Sequence, residues 1–139
     1  MVDALQTLSE QKENLHITHQ TGEADFERVS KKYKENNFSS DIRPFIDDIG
    51  DQYRKASLVL CRAGATTLAE VTACGKMSIL VPFPHAAHNH QEKNARILEA
   101  ANAGDLVIFD TDMFHMGGLT KGGERLVIRS HTSGKKRKL

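Results

Sequence analysis

Short apolar runs alternate along this 139-residue chain with stretches that are long enough for helices. The short runs are rich in β-branched and apolar residues, which favour strands. The predicted strands are Leu15–His19, Asp41–Phe45, Ser57–Cys61, Ser78–Val81 and Leu106–Phe109. The predicted helices are Asp3–Lys12, Glu23–Asn36, Ile46–Lys55, Thr67–Cys74 and His90–Ala103. This βαβα order predicts an α/β fold with a mostly parallel sheet, because parallel strands need helical crossovers.

The pattern also divides the chain into two parts. Gly75 and Gly104 each follow a predicted helix, where a left-handed residue is favoured. Beyond about Met113 the periodicity stops, and a glycine-rich stretch leads to the basic run Lys135–Lys138. We therefore predict one folded domain over residues 1–112 and a disordered, basic tail over residues 113–139.

Composition excludes several classes of protein. A net charge of +1, 6% aromatic residues and no tryptophan argue against a nucleic-acid partner. Cys61 and Cys74 are too few for a disulfide framework or a zinc motif and indicate a reducing compartment. No apolar run is long enough for a membrane span, and no signal peptide is visible. We expect a cytoplasmic protein that is soluble or peripheral to a membrane.

The first candidate site is the strand, small-residue turn and helix start between Leu58 and Glu70. Free amides and the helix dipole at such a turn favour an anion, although one glycine in a βα turn is a weak signal for phosphate. Thr67 and Glu70 have two interpretations. They match the Thr-x-x-Glu capping box. Alternatively, Glu70 lies close enough to the carboxyl end of the strand to accept two ribose hydroxyls.

The second candidate site is the loop and helix start that follow Val81. Its three histidines, His85, His88 and His90, lack a carboxylate or cysteine at metal-ligand spacing, so we expect no metal. A His90–Gln91 pair at a helix N-terminus suits the hydroxyl and amide groups of a sugar, since both side chains donate and accept. Capping or simple solvation is the alternative role for Gln91 and for Asn94 in the same helix.

Together these two sites and an earlier segment resemble the C-terminal domain of the family-28 glycosyltransferases that make lipid II. The resemblance covers about residues 1–112 and depends on order and spacing. The matching segments are Phe45-Ile46-Asp47-Asp48, Cys61-Arg62-Ala63-Gly64-Ala65-Thr66-Thr67-Leu68-Ala69-Glu70, Val81-Pro82-Phe83-Pro84-His85, His90-Gln91 and Asn94-Ala95. It implies half of a GT-B enzyme, a Rossmann-like domain that binds UDP-N-acetylglucosamine without a metal or cofactor.

The resemblance also implies a role for each matching position. Phe45 and Ile46 would border the uracil, with main-chain groups of Ile46 reading its edge, and Glu70 would accept the ribose hydroxyls. The loop beside the diphosphate would include Arg62, Gly64 and Thr67. The sugar hydroxyls would be read by His90 and Gln91, with Asn94 supporting their loop.

The chain departs from the family pattern in ways that affect activity. It begins at Met1 within the first expected helix, without the preceding strand and its Gly-Gly-Ser-type loop, and Ala63 replaces the family's serine. We therefore expect a truncated or frameshifted donor-binding domain. It would lack the catalytic base and the N-terminal domain that holds the lipid I acceptor at the inner face of the cytoplasmic membrane, so it would not turn over alone. The alternative is a stand-alone nucleotide-sugar-binding or regulatory module.

Overall fold

The computed structural model describes residues 2–83, 89–100, 106–108 and 125–130. A 3-10 helix over Val2–Asn14 precedes the first strand. The strands are β1 Leu15–Gln20, β2 Ser39–Arg43, β3 Leu58–Cys61, β4 Ser78–Leu80, β5 Leu106–Ile108 and β6 Arg125–Ser130. The helices are α1 Phe26–Glu35, α2 Ile49–Lys55, α3 Ala65–Ala73 and α4 His90–Ala100.

The described strands form one six-stranded sheet with the order β2-β1-β6-β3-β4-β5. The β1–β2, β3–β4 and β4–β5 pairs are parallel, whereas β6 pairs antiparallel with both β1 and β3. The predicted α/β class with a mostly parallel sheet is therefore confirmed.

Apolar side chains form a core on each face of the sheet. On one face, Val59 and Val127 belong to a cluster with residues of α2, α3 and α4. On the other face, Leu60 and Ile128 pack against a cluster that includes Ile17 and helix α1. Successive residues of β3 and β6 thus serve opposite cores, as the alternation of side chains along a strand requires. Helices cover both faces and make the fold three-layered.

Strand β6 corrects the prediction of a disordered tail over residues 113–139. Arg125–Ser130 forms a strand in the interior of the sheet, and Val127 is fully buried there. The apolar core of this strand is only Leu126-Val127-Ile128, flanked by glycines and charges. Three apolar residues between glycines and charged residues are too few to predict a strand from the sequence. In the fold, hydrogen bonds to β1 on one side and β3 on the other satisfy the backbone groups of this segment. The rest of the predicted tail lies outside the described residues.

The boundaries of several elements differ from the prediction for identifiable reasons. Strand β2 ends at Arg43, two residues before the predicted Phe45, because Pro44 follows and has no amide to donate. The N-terminal segment is a 3-10 helix rather than an α-helix. Helix α3 ends at Ala73, one residue before the predicted Cys74, and Gly75 has the expected left-handed conformation with a φ of 58°. Gly104 and the end of the fourth predicted helix lie outside the described residues.

Candidate functional site

The carboxyl ends of the parallel strands meet at one edge of the sheet, where ligands of doubly wound folds bind. At this edge the register aligns Gln20 at the end of β1, Arg125 at the start of β6 and Cys61 at the end of β3. Because β6 runs antiparallel, its first residue lies at this edge. The predicted binding turns follow β2, β3 and β4, so the topology brings them to the same side of the sheet.

The β3–α3 turn exposes the N-terminus of a helix. Gly64 is the N-cap residue in an extended conformation, and the first backbone bond within the helix runs from Leu68 to the Gly64 carbonyl. The three preceding amides, Ala65 to Thr67, therefore have no acceptor within the helix. The first turn of α3 also contains no acidic residue, unlike the first turns of α1, α2 and α4. This end of α3 is suited to an anion.

The capping-box interpretation of Thr67 and Glu70 is wrong. Helix α3 begins at Ala65, two residues before Thr67, so Thr67 lies inside the first turn and Glu70 lies one turn further. Gly64 takes the N-cap position and supplies no side chain. The sequence pattern misplaced the helix start because Thr67 and Glu70 imitate a capping box, whereas Gly64 has no side chain to mark it as the N-cap. The Glu70 carboxylate therefore makes no capping hydrogen bond at the start of α3.

Glu70 instead belongs to a polar cluster made by three elements. Its Oε2 accepts hydrogen bonds from Arg125 Nη1 at 3.1 Å and from Tyr53 Oη at 3.4 Å. Arg125 also donates through Nη1 to Tyr53 Oη and through Nη2 to Thr67 Oγ1, both at 3.2 Å. The side chain of Arg125 is 17% exposed and that of Glu70 is 34% exposed. Burial raises the pKa of the Tyr53 hydroxyl, which therefore stays protonated as a donor.

Arg62 spans two of the predicted binding loops. Its Nη1 donates to the carbonyl oxygens of Val81 and Pro82, both at 3.2 Å, and its guanidinium lies 5.6 Å from the centre of the Phe83 ring. These contacts join the β3–α3 turn to the loop after β4. Arg62 therefore fixes the position of the loop after β4 relative to the β3–α3 turn at this edge of the sheet.

Two polar residues of α4 are engaged with the same loops. Gln91 Oε1 accepts a hydrogen bond from the Phe83 amide at 2.9 Å, and Asn94 Nδ2 donates to the Ala63 carbonyl at 3.3 Å. Both side chains are partly buried, whereas His90 at the start of the helix is exposed. Gln91 and Asn94 thus link α4 to the edge. His85 and His88 lie outside the described residues.

The segment between β2 and α2 presents an exposed ring beside a buried main chain. Phe45 is 65% exposed, while Ile46 is buried. The Ile46 amide donates to Gln20 Oε1 at 3.1 Å, so this N–H is already occupied. The carbonyl of Ile46 is an acceptor with two lone pairs.

Asp48, the N-cap residue of α2, anchors this segment. Its carboxylate accepts hydrogen bonds from Gln52 at 2.7 Å and from Arg43 at 2.9 Å. The hydrogen bond from Gln52 is the main cause that lowers the pKa of Asp48, and Arg43 lowers it further. A charged Asp48 therefore ties the end of β2 to the start of α2 on either side of Phe45 and Ile46.

Three residues of this edge were missed in the sequence. Gln20 could have been found, since it is a polar residue directly after a predicted strand. Tyr53 lies on the inner face of α2 and resembles an ordinary core residue in the sequence. Arg125 could not be found once the tail was predicted to be disordered.

Cys61 is buried at the same edge. Burial is the main cause that raises the pKa of its thiol to about 12, and the nearby Glu70 adds to the rise. The thiol is therefore protonated at neutral pH and acts as a small apolar group. The described residues contain no group of three or more His, Cys, Asp or Glu side chains that could hold a metal ion.

An open groove of about 530 Å³ runs between α3 and α4. Most of its lining residues are alanine or leucine, and Ile97 on its wall is 66% exposed. The groove has no charged side chain in its lining, so it does not suit a diphosphate. The polar edge of the sheet is the better candidate site.

Comparisons with known proteins identify the family of the chain. A model of the glycosyltransferase family 28 C-terminal domain matches residues 1–132, a range that includes β6. The chain belongs to glycosyltransferase family 28. The matched range contains every helix and strand given above.

Curated relatives at about 50% identity are named UDP-N-acetylglucosamine–N-acetylmuramyl-(pentapeptide) pyrophosphoryl-undecaprenol N-acetylglucosamine transferase. The relative from Geobacter sulfurreducens is 54% identical over 108 residues, which are 78% of this chain and 30% of that protein. The relative from Myxococcus xanthus is 52% identical over 103 residues, which are 74% of this chain and 27% of that protein. The chain thus spans under a third of these relatives' length.

A solved structure of the same family shares the fold. The crystal structure of Acinetobacter baumannii MurG superposes with a TM-score of 0.67 at 33% sequence identity, over 77% of this chain and 31% of that one. Within the ranges that the model describes, no helix has the length and apolar character needed to cross a membrane.

Proposed function

We propose that this chain binds UDP-N-acetylglucosamine at the carboxyl edge of its sheet, as the donor-binding part of a hexosyltransferase. The full reaction would move N-acetylglucosamine to undecaprenyl-pyrophosphoryl-MurNAc-pentapeptide and convert lipid I to lipid II. One observation carries the proposal: helix α3 presents open amides at its N-terminus and the Glu70 carboxylate one turn later, at the same edge. A nucleoside diphosphate needs these two kinds of group side by side.

The N-terminus of α3 is the proposed diphosphate site. The amides of Ala65, Thr66 and Thr67 have no acceptor among the residues that the structure describes, and the helix dipole adds a partial positive charge. Gly64 leaves room for a phosphate close to the main chain, because a Cβ at this position would meet only Thr67 Oγ1 at 3.9 Å. Arg62 would contribute by fixing the loop beside this turn.

Glu70 is the proposed ribose ligand. A carboxylate accepts hydrogen bonds through both oxygens, and a ribose offers two adjacent hydroxyl donors. The Glu70 side chain is one-third exposed, and Oε1 accepts no hydrogen bond within the described part of the chain. This oxygen is available to a ligand at the edge.

The main chain at Ile46 is the proposed uracil reader, beside the exposed ring of Phe45. Because the Ile46 amide is held by Gln20, the carbonyl is the group that can pair with the base. A carbonyl accepts from the N3–H of uracil, whereas the corresponding ring nitrogen of adenine is itself an acceptor. This difference supports selectivity for uridine nucleotides, since an unpaired buried acceptor is costly.

His90 and Gln91 are the proposed readers of the N-acetylglucosamine hydroxyls, with Asn94 holding α4 against the turn. The hydrogen bond from Phe83 leaves the amide nitrogen of Gln91 to donate to a sugar. We assign no catalytic base to this chain. In the proposed full reaction, the base, the acceptor site and contact with the inner face of the cytoplasmic membrane would be supplied by a second domain.

Calorimetric titration of the chain tests this function. We expect saturable binding of UDP and of UDP-N-acetylglucosamine, and at least about tenfold weaker binding of ADP, a difference of about 1.4 kcal/mol. UDP-glucose measures the contribution of the N-acetyl group. Binding of ADP as tight as that of UDP would contradict the proposed reading of uracil, and a chain that binds no uridine nucleotide would contradict the proposed function as a whole.

A further inference from the structure

We propose that Arg125 is a positioning residue of the nucleotide site, which holds one oxygen of Glu70 so that the other oxygen faces the ribose hydroxyls. This inference rests on the proposed function. It assigns a role in the site to β6, a segment outside the predicted domain boundary at residue 112.

The topology explains why an arginine of β6 reaches this site. In the usual doubly wound order 3-2-1-4-5-6, the first strand lies between the two halves of the sheet, and the ligand crevice opens beside it. Here β6 lies in that central place, between β1 and β3. Its antiparallel direction brings Arg125, its first residue, to the carboxyl edge opposite Gln20 and Cys61. The guanidinium-bearing residue Arg125 therefore lies at the central position of the sheet edge, where the ligand crevice of such folds opens.

The geometry around Glu70 leaves one oxygen for a ligand. A carboxylate has about four lone-pair positions, two on each oxygen. Both positions of Glu70 Oε2 are occupied, one by Arg125 Nη1 at 3.1 Å and one by Tyr53 Oη at 3.4 Å. Among the described residues Oε1 has no donor. The protein thus saturates one oxygen and leaves two lone-pair positions on the other, enough for two hydroxyls.

The same guanidinium orients Thr67. An arginine can only donate, so Thr67 Oγ1 must accept from Arg125 Nη2, at 3.2 Å. The hydroxyl proton of Thr67 is then left to donate elsewhere. Arg125 therefore leaves an acceptor at Glu70 Oε1 and a donor at the Thr67 hydroxyl, both within the first two turns of α3.

The test compares UDP with 2′-deoxy-UDP, which lacks one of the two hydroxyls. The full-length chain should bind UDP about tenfold more tightly, because one hydrogen bond to a charged acceptor is lost. In R125M this ratio should fall to about threefold or less, since Glu70 is no longer held. The control is R129M, the same change on the same strand, at a residue paired with His16 near the opposite end of the β1–β6 ladder. This variant should keep the ratio of the parent.

The outcomes separate the possible roles of Arg125. A merely structural role would weaken both nucleotides by the same factor in R125M and leave the ratio unchanged, which would overturn the inference. Tighter binding of UDP by R125M would show that Arg125 blocks Glu70, and would overturn it too. If R125M does not fold by circular dichroism, R125K keeps the charge but replaces the two planar nitrogens that contact Glu70 and Thr67 by a single ammonium, so it should not hold Glu70 in the same position. An unchanged ratio in R125K would then be decisive against the inference.

Failure of the proposed function gives a different result. A parent chain that binds neither nucleotide overturns the proposed function and this inference with it. A parent chain that distinguishes the two nucleotides, together with an R125M variant that distinguishes them equally well, overturns only the role of Arg125.

Discussion

Arg125 Nη1 lies 3.1 Å from Glu70 Oε2, although 55 positions separate the two residues in the chain. The contact exists because an antiparallel strand fills the centre of an otherwise parallel sheet and presents its first residue at the ligand edge. Stability of the sheet and geometry of the candidate site therefore depend on the same strand. The predictions below separate these two contributions.

Removal of β6 should destabilise the domain strongly. A chain that ends at residue 124 loses the ladders of β1 and β3 and the buried side chain of Val127. We expect its thermal midpoint to fall by at least about 10 °C, roughly 2 kcal/mol for a domain of this size. A chain that ends at Ser130 keeps β6 and is the matched control. Equal thermal midpoints for the two chains would contradict this prediction and would show that residues 125–130 do not stabilise the domain.

Glu70→Gln should affect binding more than stability. The ion pair to Arg125 is partly exposed, and such pairs contribute about 1 kcal/mol or less. As a ribose ligand, however, the carboxylate should be worth roughly 1.5 to 3 kcal/mol, so UDP affinity should fall about tenfold to a hundredfold. Glu99→Gln, which removes an exposed pair with Arg96 in α4, is the control. Parental UDP affinity in Glu70→Gln would exclude the ribose role.

Gly64→Ala should leave the fold intact and weaken only phosphate-bearing ligands. The backbone of Gly64 is extended, and a Cβ would meet nothing closer than 3.9 Å. A diphosphate against the main chain would meet this methyl group, so we expect about tenfold weaker binding of UDP, or roughly 1.4 kcal/mol, and unchanged binding of uridine.

Gly50→Ala is the control for Gly64→Ala. Gly50 lies in α2, where the new methyl group has room and should stabilise the helix by roughly 0.5–1 kcal/mol. Calorimetry measures the affinity of both variants for UDP and uridine, and thermal melting measures their stability. If Gly64→Ala binds UDP and uridine as the parent does, the diphosphate does not approach this turn.

The two cysteines should differ in reactivity. Burial raises the pKa of Cys61 to about 12, so it has little thiolate at neutral pH, whereas Cys74 is partly exposed. A disulfide reagent at pH 8 should label one thiol quickly and the second only on unfolding. The fast reaction should be absent in Cys74→Ala. Two fast thiols in the folded parent would show that Cys61 is accessible.

The raised pKa of Cys61 also has a consequence for stability. The folded state binds the thiol proton more tightly than the unfolded chain, whose thiol has a pKa near 8.5. The resulting stabilisation is complete below about pH 8.5 and is lost as the pH rises through about 12. Chemical unfolding at pH 7 and pH 10 should show a smaller pH effect in Cys61→Ala than in the parent.

The sequence allowed much of the fold to be predicted because its signals there are local. The five predicted strands all occur, with β2 displaced by two residues at Pro44. The start of α3 was misplaced because Thr67 and Glu70 imitate a capping box, while the true N-cap, Gly64, has no side chain to reveal it. The local sequence pattern therefore predicted which segments form strands and helices more accurately than it predicted where those elements begin and end.

The composition of the site was only partly predictable, because its contacts are long-range. Glu70, Gln91 and Asn94 could be named from their places in motifs. Their partners could not: Tyr53 and Arg125 reach Glu70 from α2 and β6, and only the order of strands brings them together. The roles assigned to the nine motif residues stay predictions that need a bound ligand.

Mapping of backbone amide shifts by NMR during titration with UDP-N-acetylglucosamine tests the central claim most directly. The largest shifts should occur at the carboxyl edge, at Ile46, from Gly64 to Thr67, at Glu70 and at Gln91. Ile97 and Leu98, in the apolar groove between α3 and α4, should change little. Shifts concentrated in that groove, or no saturable shifts at all, would contradict the assignment of a UDP-N-acetylglucosamine site to this edge of the sheet.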